Sequence, residues 1–382
     1  MHLAINGYFI NQPASGTGQY SRELLRMLHD LRPGKITVLI PDHVEPEAVR
    51  DLAPTAACHV LRTPFGGNLG KVWFEQVSVP RTAARLGADL LHIPYLGPPL
   101  FSAVPVAVTV HDLLQHTVPQ LKGGILVQLY NKLAAASAHR AAVILADSEY
   151  TRLEVVARLN VLPERVQRVY LAADARFSPS PEGQEAERLQ RKYGLSGAYL
   201  LYMGGLDWRK NVAALLRAYA RSGCQAPLAI AGQVRPSSSG FPDLNAEAMR
   251  TGITERVKFL GWVDEADKAA LYRNALAFVF PSRYEGFGLT PLEAMACGTA
   301  VLCSNATSLP EVVGDAALLF DPNDEAQLAA HITSVVNNQG LRDRLCGSGL
   351  EQAARFSWRA TAQQTLDVFR HVLEERRLVA LA

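Results

Sequence analysis

The stretch richest in chemistry reads Pro281-Ser282-Arg283-Tyr284-Glu285-Gly286-Phe287-Gly288-Leu289-Thr290-Pro291-Leu292-Glu293. It follows an apolar run at 277–280 and passes through two glycines into a helical pattern. A glycine loop that opens a helix offers backbone N–H donors to an anion, and a carboxylate beside them accepts from hydroxyls. Thr290 to Glu293 has the T-x-x-E spacing of a capping box, with Pro291 suited to the first helical position, so Glu293 has a structural use at hand. Glu285 has none, because it lies in the loop five residues before that cap. Ser308-x-x-Glu311 repeats the spacing without a glycine loop and reads as a structural cap.

A second chemical stretch is Gly204-Gly205-Leu206-Asp207-Trp208-Arg209-Lys210-Asn211, after the apolar run 199–203 and before a helical pattern at 212–220. Two cations in the first turn of a helix oppose its macrodipole, which favours anions there. Either they are solvated surface cations or an anionic ligand is neutralised at that point. A diphosphate fits, with Arg209 as a fork and Lys210 as a point charge.

Two weaker signals lie upstream. Gly16-Thr17-Gly18 follows the first apolar run and could bring backbone donors to an anion or be a plain strand-to-helix turn; Ser21 stands where a third glycine would complete G-x-G-x-x-G. His111-Asp112 closes the run 106–110. A histidine there can donate to a ligand oxygen or simply cap the strand, and its neighbour Asp112 need not share its face. No G-x-S-x-G, D-x-D or clustered His/Asp set occurs, so neither a serine nucleophile nor an essential divalent metal is expected.

These residues need elements to hold them. Short β-branched runs fall at 3–10, 36–40, 90–94, 106–110, 143–146 and 166–171, then at 199–203, 228–231, 257–260, 277–280, 300–303 and 317–320. Runs apolar on both faces and separated by helical patterns predict parallel strands covered on both sides. The predicted fold is α/β: two Rossmann-like, doubly wound domains facing a cleft. The boundary falls in the Pro/Ser stretch 177–181, giving 1–175, 176–355 and a terminal helix 356–382.

Composition closes off other classes. The 382 residues carry 38 Lys plus Arg against 36 Asp plus Glu, a net of +2, so nucleic acid is not an expected partner. Five scattered cysteines without C-x-x-C fit a reducing compartment better than a disulfide or zinc framework. The longest uncharged apolar stretch near residue 100 is broken by four prolines, which excludes it as a membrane helix, and no basic leader precedes Leu3. The expected location is cytoplasmic.

Glu285-x7-Glu293 after Phe280-Pro281-Ser282, together with the Gly204 to Asn211 stretch upstream, resembles the retaining GT-B glycosyltransferases of family 4 (glycosyltransferase group 1). The resemblance runs over nearly the whole chain, including Gly16-Thr17-Gly18, His111-Asp112 and Phe356-Ser357-Trp358-Arg359. It implies a nucleotide-sugar donor held mainly by the C-terminal domain, with no cofactor. Arg209 and Lys210 would bind the diphosphate, Glu293 the ribose hydroxyls and Glu285 the sugar hydroxyls. Backbone donors of Phe287, Gly288, Leu289 and Thr290 would lie near sugar and phosphate, His111 near the sugar's C6 side, and Gly16 and Gly18 would leave room for the diphosphate. Many members carry arginine where this chain has Gly205; Arg209 would supply that charge, as in a subgroup that looks like bacterial surface-polysaccharide mannosyltransferases.

The implied reaction is retaining, metal-independent transfer of a hexose from GDP-mannose or a UDP-sugar to a saccharide or lipid-linked acceptor. A GT-B epimerase, a phosphorylase or a non-catalytic nucleotide-sugar sensor are the alternatives. The N-terminal domain would receive the acceptor, with Phe65, Lys71, Trp73 and Phe74 near it or in the core. The apolar segment between Lys122 and Lys132 reads either as a packed helix or as an interfacial one giving weak, reversible contact with the inner membrane.

Overall fold

A computed structural model describes residues 1–114, 124–181, 183–238 and 240–381. The chain forms two α/β units, Met1–Leu171 with Trp358–Ala382, and Ala172–Ser357. Each is built on one wholly parallel sheet.

In the first unit the sheet order is β3-β2-β1-β4-β5-β6-β7. The strands are β1 (His2–Asn6), β2 (Lys35–Pro41), β3 (Ala57–Leu61), β4 (Leu90–Ile93), β5 (Val106–Val110), β6 (Val143–Ala146) and β7 (Val166–Arg168). Strands β4, β5 and β6 are buried along their whole length, the mark of a sheet covered on both faces. β1 pairs with β2 on one side and β4 on the other, so the order reverses there. In such sheets ligands gather beyond the carboxyl ends of the strands at that reversal.

The described residues of the second unit repeat the plan with six strands in the order β10-β9-β8-β11-β12-β13. These are β8 (Tyr199–Met203), β9 (Leu228–Ala231), β10 (Val257–Gly261), β11 (Ala275–Phe280), β12 (Val301–Ser304) and β13 (Ala317–Phe320). Its reversal lies between β8 and β11. The loops leaving those two strands carry the cations and Glu285.

Two expectations need correction here. β3 had no unbroken apolar run to announce it; as an edge strand it is only half covered, and Val60 is 46% exposed. β1 ends at Asn6 rather than at residue 10, because the chain turns at Gly7 and Tyr8 N–H donates to Asn6 Oδ1 at 2.9 Å. The segment after Lys122 forms the helix Ile125–Ala138, which turns Tyr130, Ala134 and Ala138 inward and leaves Val127 and Leu129 exposed. Lys122 and Gly123 lie outside the described residues.

The terminal helix Trp358–Leu381 belongs to the first unit and packs on the helix Gly16–Leu31. Its buried stripe Ala362, Leu366, Phe369 and Val372 follows helical spacing. The Thr361 hydroxyl donates to the Tyr170 carbonyl at 2.7 Å and fixes its start. Among the described residues no helix is long and apolar enough to cross a membrane.

Candidate functional site

The Gly204 loop leaves β8 and turns into a 3-10 helix, Trp208–Lys210, before the α-helix Val212–Ser222 begins. Asp207 caps the short helix by accepting from Arg209 N–H at 3.2 Å. Arg209 and Lys210 therefore occupy the last turn of their own short helix and not the first turn of the following one. The expected clash with the macrodipole is relieved by that placement, and the argument for an anion has to come from packing instead.

Packing supplies it. The backbone of Arg209 is stitched to the loop after β11, its carbonyl accepting from Arg283 N–H at 2.8 Å and from the Ser282 hydroxyl at 3.4 Å. This brings Lys210 Nζ to 2.6 Å from Glu285 Oε1 and Arg209 Nη1 to 3.6 Å from Glu285 Oε2. Arg209 Nη1 also reaches the Tyr284 carbonyl at 3.5 Å, and Lys210 Nζ sits 5.1 Å from the Phe280 ring centroid. The side chains of Lys210 and Glu285 are only 11% and 12% exposed, so neither charge is a solvated surface group. Asp207 Oδ1 also lies 3.4 Å from Arg209 Nε, so two cations and two carboxylates meet at the unit's strand reversal.

The glycine loop around Glu285 is held from behind. Glu285 N–H donates to Thr307 Oγ1 at 3.0 Å, and the Ser308 hydroxyl donates to the carbonyls of Glu285 at 2.9 Å and Phe287 at 2.6 Å. Ser308 is the N-cap residue of Leu309–Val313, but its side chain makes no cap hydrogen bond. The expected capping box there is replaced by this clamp on the loop.

The second expected capping box is also absent. The helix Leu289–Ala296 starts after Gly288, at φ 128°, a conformation that favours glycine. Thr290 and Pro291 fall inside the helix, and Glu293 lies two positions beyond where a capping-box glutamate would sit. Glu293 is instead buried and accepts from the Tyr272 hydroxyl at 3.1 Å. Burial, with Glu293 beside it, holds that phenol well above its usual range.

In the first unit, Ser15 caps the helix Gly16–Leu31 by accepting from Gly18 N–H at 3.1 Å. A Cβ on Gly18 would lie 1.9 Å from the Gln12 carbonyl oxygen, whereas one on Gly16 would meet nothing within 4 Å. Gly18 is thus explained by the turn itself, and Gly16 is not.

His111 follows β5, and its ring is held at both nitrogens: Nδ1 is 2.6 Å from Asp147 Oδ2 and Nε2 is 3.0 Å from the Pro94 carbonyl. Asp112 is no dyad partner; its Oδ1 accepts from Leu114 N–H at 3.0 Å. Burial works against a charged imidazole, but Asp147 outweighs it and the His111 pKa is raised. Burial also raises the Asp147 carboxyl, with His111 opposing. A ligand that took a hydrogen bond from Nε2 would have to displace Pro94. Asp147 escaped the sequence reading, although it follows β6 directly, at the same sheet end as His111 on the neighbouring strand.

Among the described residues no group of His, Cys, Asp and Glu is arranged to hold a metal ion. The charges described above belong to the residues themselves.

Residues 184–350 match the family model for glycosyl transferases group 1, and residues 14–177 match that for glycosyltransferase family 4. Over 267 residues the chain is 36% identical to O-antigen chain mannosyltransferase B of Escherichia coli, covering 69% of each protein. The chain belongs to glycosyltransferase family 4. It is also 33% identical over 249 residues to the serotype-specific mannosyltransferase WbdA of Escherichia coli, 64% of this chain but 30% of that longer protein. Among solved structures, sucrose-phosphate synthase from Thermosynechococcus elongatus superposes with a TM-score of 0.77 at 21% identity, covering 98% of this chain and 100% of that one. Anabaena Alr3699/HepE in complex with UDP and glucose gives 0.75 at 18% identity, covering 97% and 100%. These likenesses establish the GT-B fold, two Rossmann-like domains in one family-4 glycosyltransferase.

Proposed function

We propose that this glycosyltransferase moves a hexose, mannose first among candidates, from a nucleotide diphosphate sugar to a saccharide or lipid-linked acceptor with retention of configuration and without an essential divalent metal. The observation that carries the reading is the Lys210–Glu285–Arg209 cluster, where loops from the two strands at the unit's reversal meet. The similarity to O-antigen chain mannosyltransferase B supports mannose and a role in surface polysaccharide.

As the bond from sugar to diphosphate breaks, negative charge grows on the leaving phosphate oxygens. Lys210 and Arg209 are already fixed by packing, so they stabilise that charge with little reorganisation. The incoming phosphate competes with Glu285 for Lys210, and the released carboxylate is then available to accept from sugar hydroxyls. In same-face substitution the acceptor oxygen attacks the anomeric carbon as the diphosphate departs, and the acceptor proton passes to the leaving phosphate oxygen. Glu293, fixed by Tyr272, accepts from the ribose hydroxyls.

The test is incubation with GDP-mannose, UDP-glucose and related donors in excess chelator, with the product's anomeric configuration read by proton NMR. Release of nucleoside diphosphate with a product of the donor's configuration is expected. An inverted product overturns retention, loss of turnover on chelation overturns metal independence, and tight donor binding without turnover makes the chain a sensor.

A further inference from the structure

The cations at both sheet reversals have carboxylates at hand. Arg209 and Lys210 meet Glu285. Lys71, among the rings of Tyr8, Phe9, Tyr95 and Tyr130, lies 3.7 Å from Glu75 Oε1. A cavity of about 580 Å³ in the first unit is different. Arg81, Arg140 and Arg376 line it, and among the described residues no Asp or Glu lines it or pairs with these arginines. Glu375, next to Arg376, is taken up by His371 at 3.2 Å.

The three arginines come from separate parts of the chain. Arg81 belongs to the helix Val79–Arg85, Arg140 lies between the helix Ile125–Ala138 and β6, and Arg376 is on the terminal helix. Val106, the first residue of β5, is also in the wall, whereas His111 follows the last residue of that strand. Five strand steps of about 3.3 Å put roughly 16 Å between Val106 and His111. The cavity is therefore at the amino end of the sheet, opposite the end where ligands of such sheets gather.

Its wall is fixed in advance. Gln76, from the π-helical turn Phe74–Ser78, accepts from Leu100 N–H at 2.8 Å and donates to the Pro98 carbonyl at 3.0 Å. The Ser102 hydroxyl donates to the Val104 carbonyl at 2.7 Å and accepts from Val104 N–H at 3.1 Å. These clamps hold the loop that presents Phe101, which is 67% exposed. The Arg140 guanidinium carbon lies 4.7 Å from the Phe101 ring centroid. Stacking of that kind uses the flat face of a guanidinium and leaves its N–H edge for an acceptor.

Three like charges around one concavity draw anions to it, and guanidinium forks match phosphate oxygens. The volume falls within the roughly 300–1,000 Å³ of small-molecule sites, so a phosphate and the group it esterifies both fit. We infer that this cavity binds a phosphate monoester, with Arg81, Arg140 and Arg376 on the phosphate and Phe101 against the esterified group. Through Arg376 the ligand ties the end of the terminal helix to the rest of the unit. The inference uses no residue assigned to donor or acceptor and stands apart from the transferase reading. A soluble sugar phosphate and the headgroup of phosphatidic acid offer the same chemistry, and the test separates them.

Mannose 6-phosphate is titrated calorimetrically into the full-length wild type, Arg140→Ala, Arg376→Ala and Lys210→Ala. The arginines are exposed, so the unliganded arginine variants should melt like wild type. Each should raise the dissociation constant about 10- to 100-fold, the scale of a lost hydrogen bond to a charged group, while Lys210→Ala leaves it unchanged. The same constant in all four proteins, or weakening by Lys210→Ala alone, overturns the inference. Co-sedimentation with phosphatidylcholine vesicles, with and without phosphatidic acid, reads the other source. Binding that needs phosphatidic acid and falls tenfold in both arginine variants, with no calorimetric binding of the sugar phosphate, assigns the site to the headgroup. No arginine-dependent binding in either arm overturns it. The bound ester should also slow amide hydrogen exchange in the terminal helix of the wild type and not of Arg376→Ala. Exchange unchanged at saturating ligand overturns the tie to that helix.

Discussion

The two sheet reversals of this protein share a topology and differ in almost everything placed on it. At β8 and β11 the loops bring together Arg209, Lys210 and Glu285; at β1 and β4 they bring together Tyr8, Phe9 and Tyr95 around Lys71. The second unit uses close-packed charge, suited to a diphosphate whose charge grows during reaction. The first uses rings around one lysine already paired with Glu75. The scaffold decides where a ligand sits, and the loop composition decides which one.

The sharpest way to break this contrast is to remove the second unit's cations. Lys210→Ala should lower donor turnover by about 10²- to 10³-fold, the scale of one lost transition-state donor, and Arg209→Ala by somewhat less, since Arg209 lies farther from Glu285. Steady-state release of nucleoside diphosphate measures both, and wild-type rates in both variants would leave the cluster a purely structural ion pair.

Separating the two glutamates comes next. Glu285→Gln should lower kcat about 10- to 100-fold and tighten binding of free nucleoside diphosphate, because Lys210 loses its internal competitor. Glu293→Gln should act mainly on donor KM, by about tenfold, since the carboxylate is buried against Tyr272. Reversal of these kcat and KM assignments in full kinetics would contradict the roles given to them.

The two glycines of the first loop give a cleaner discrimination of smaller size. Gly18→Ala must push against the Gln12 carbonyl and should cost about 1–3 kcal/mol of stability in denaturant unfolding. Gly16→Ala meets no protein atom and should unfold like wild type. A drop in its donor turnover would therefore report a ligand approaching Gly16; unchanged turnover would remove Gly16 from the donor site.

The smallest effect concerns His111. Asp147 raises its pKa, so the stability contributed by protonating His111 is fully present below about pH 6.5 and is lost as pH rises through the raised folded value. NMR titration should find His111 above the usual histidine range in wild type and lower in Asp147→Asn, where burial is opposed only by Asp112 and the Pro94 carbonyl. A His111 pKa unaffected by that substitution would show that the Pro94 contact, not Asp147, sets it.

Among the described residues, sequence patterning placed twelve of the thirteen strands, most of them from uninterrupted apolar runs. β3 was missed because His59 interrupts its short apolar run, Ala57–Leu61. The charged motif Arg209, Lys210 and Glu285 was legible from residue type and position, yet the physical reasons first attached to it were not. Two capping boxes matched in spacing and neither forms, since Gly288 starts one helix by backbone conformation and Ser308 spends its hydroxyl on the Glu285 and Phe287 carbonyls. Pairings across long stretches of sequence, Asp147 with His111 and Tyr272 with Glu293, leave no local pattern to read. Lys71 and Glu75 are close in sequence, but an i,i+4 ion pair is ordinary on any helix; only the π-turn and the four rings around it set it apart.

The central claim is that Lys210 serves the diphosphate and that Glu285 holds its place until the diphosphate arrives. Isothermal titration of GDP and UDP into the wild-type protein, Lys210→Ala and Glu285→Gln, all in excess chelator, tests it most directly. The account predicts that at least one nucleotide binds the wild type, at least tenfold more weakly Lys210→Ala, and more tightly Glu285→Gln. The same dissociation constant in all three proteins would contradict it.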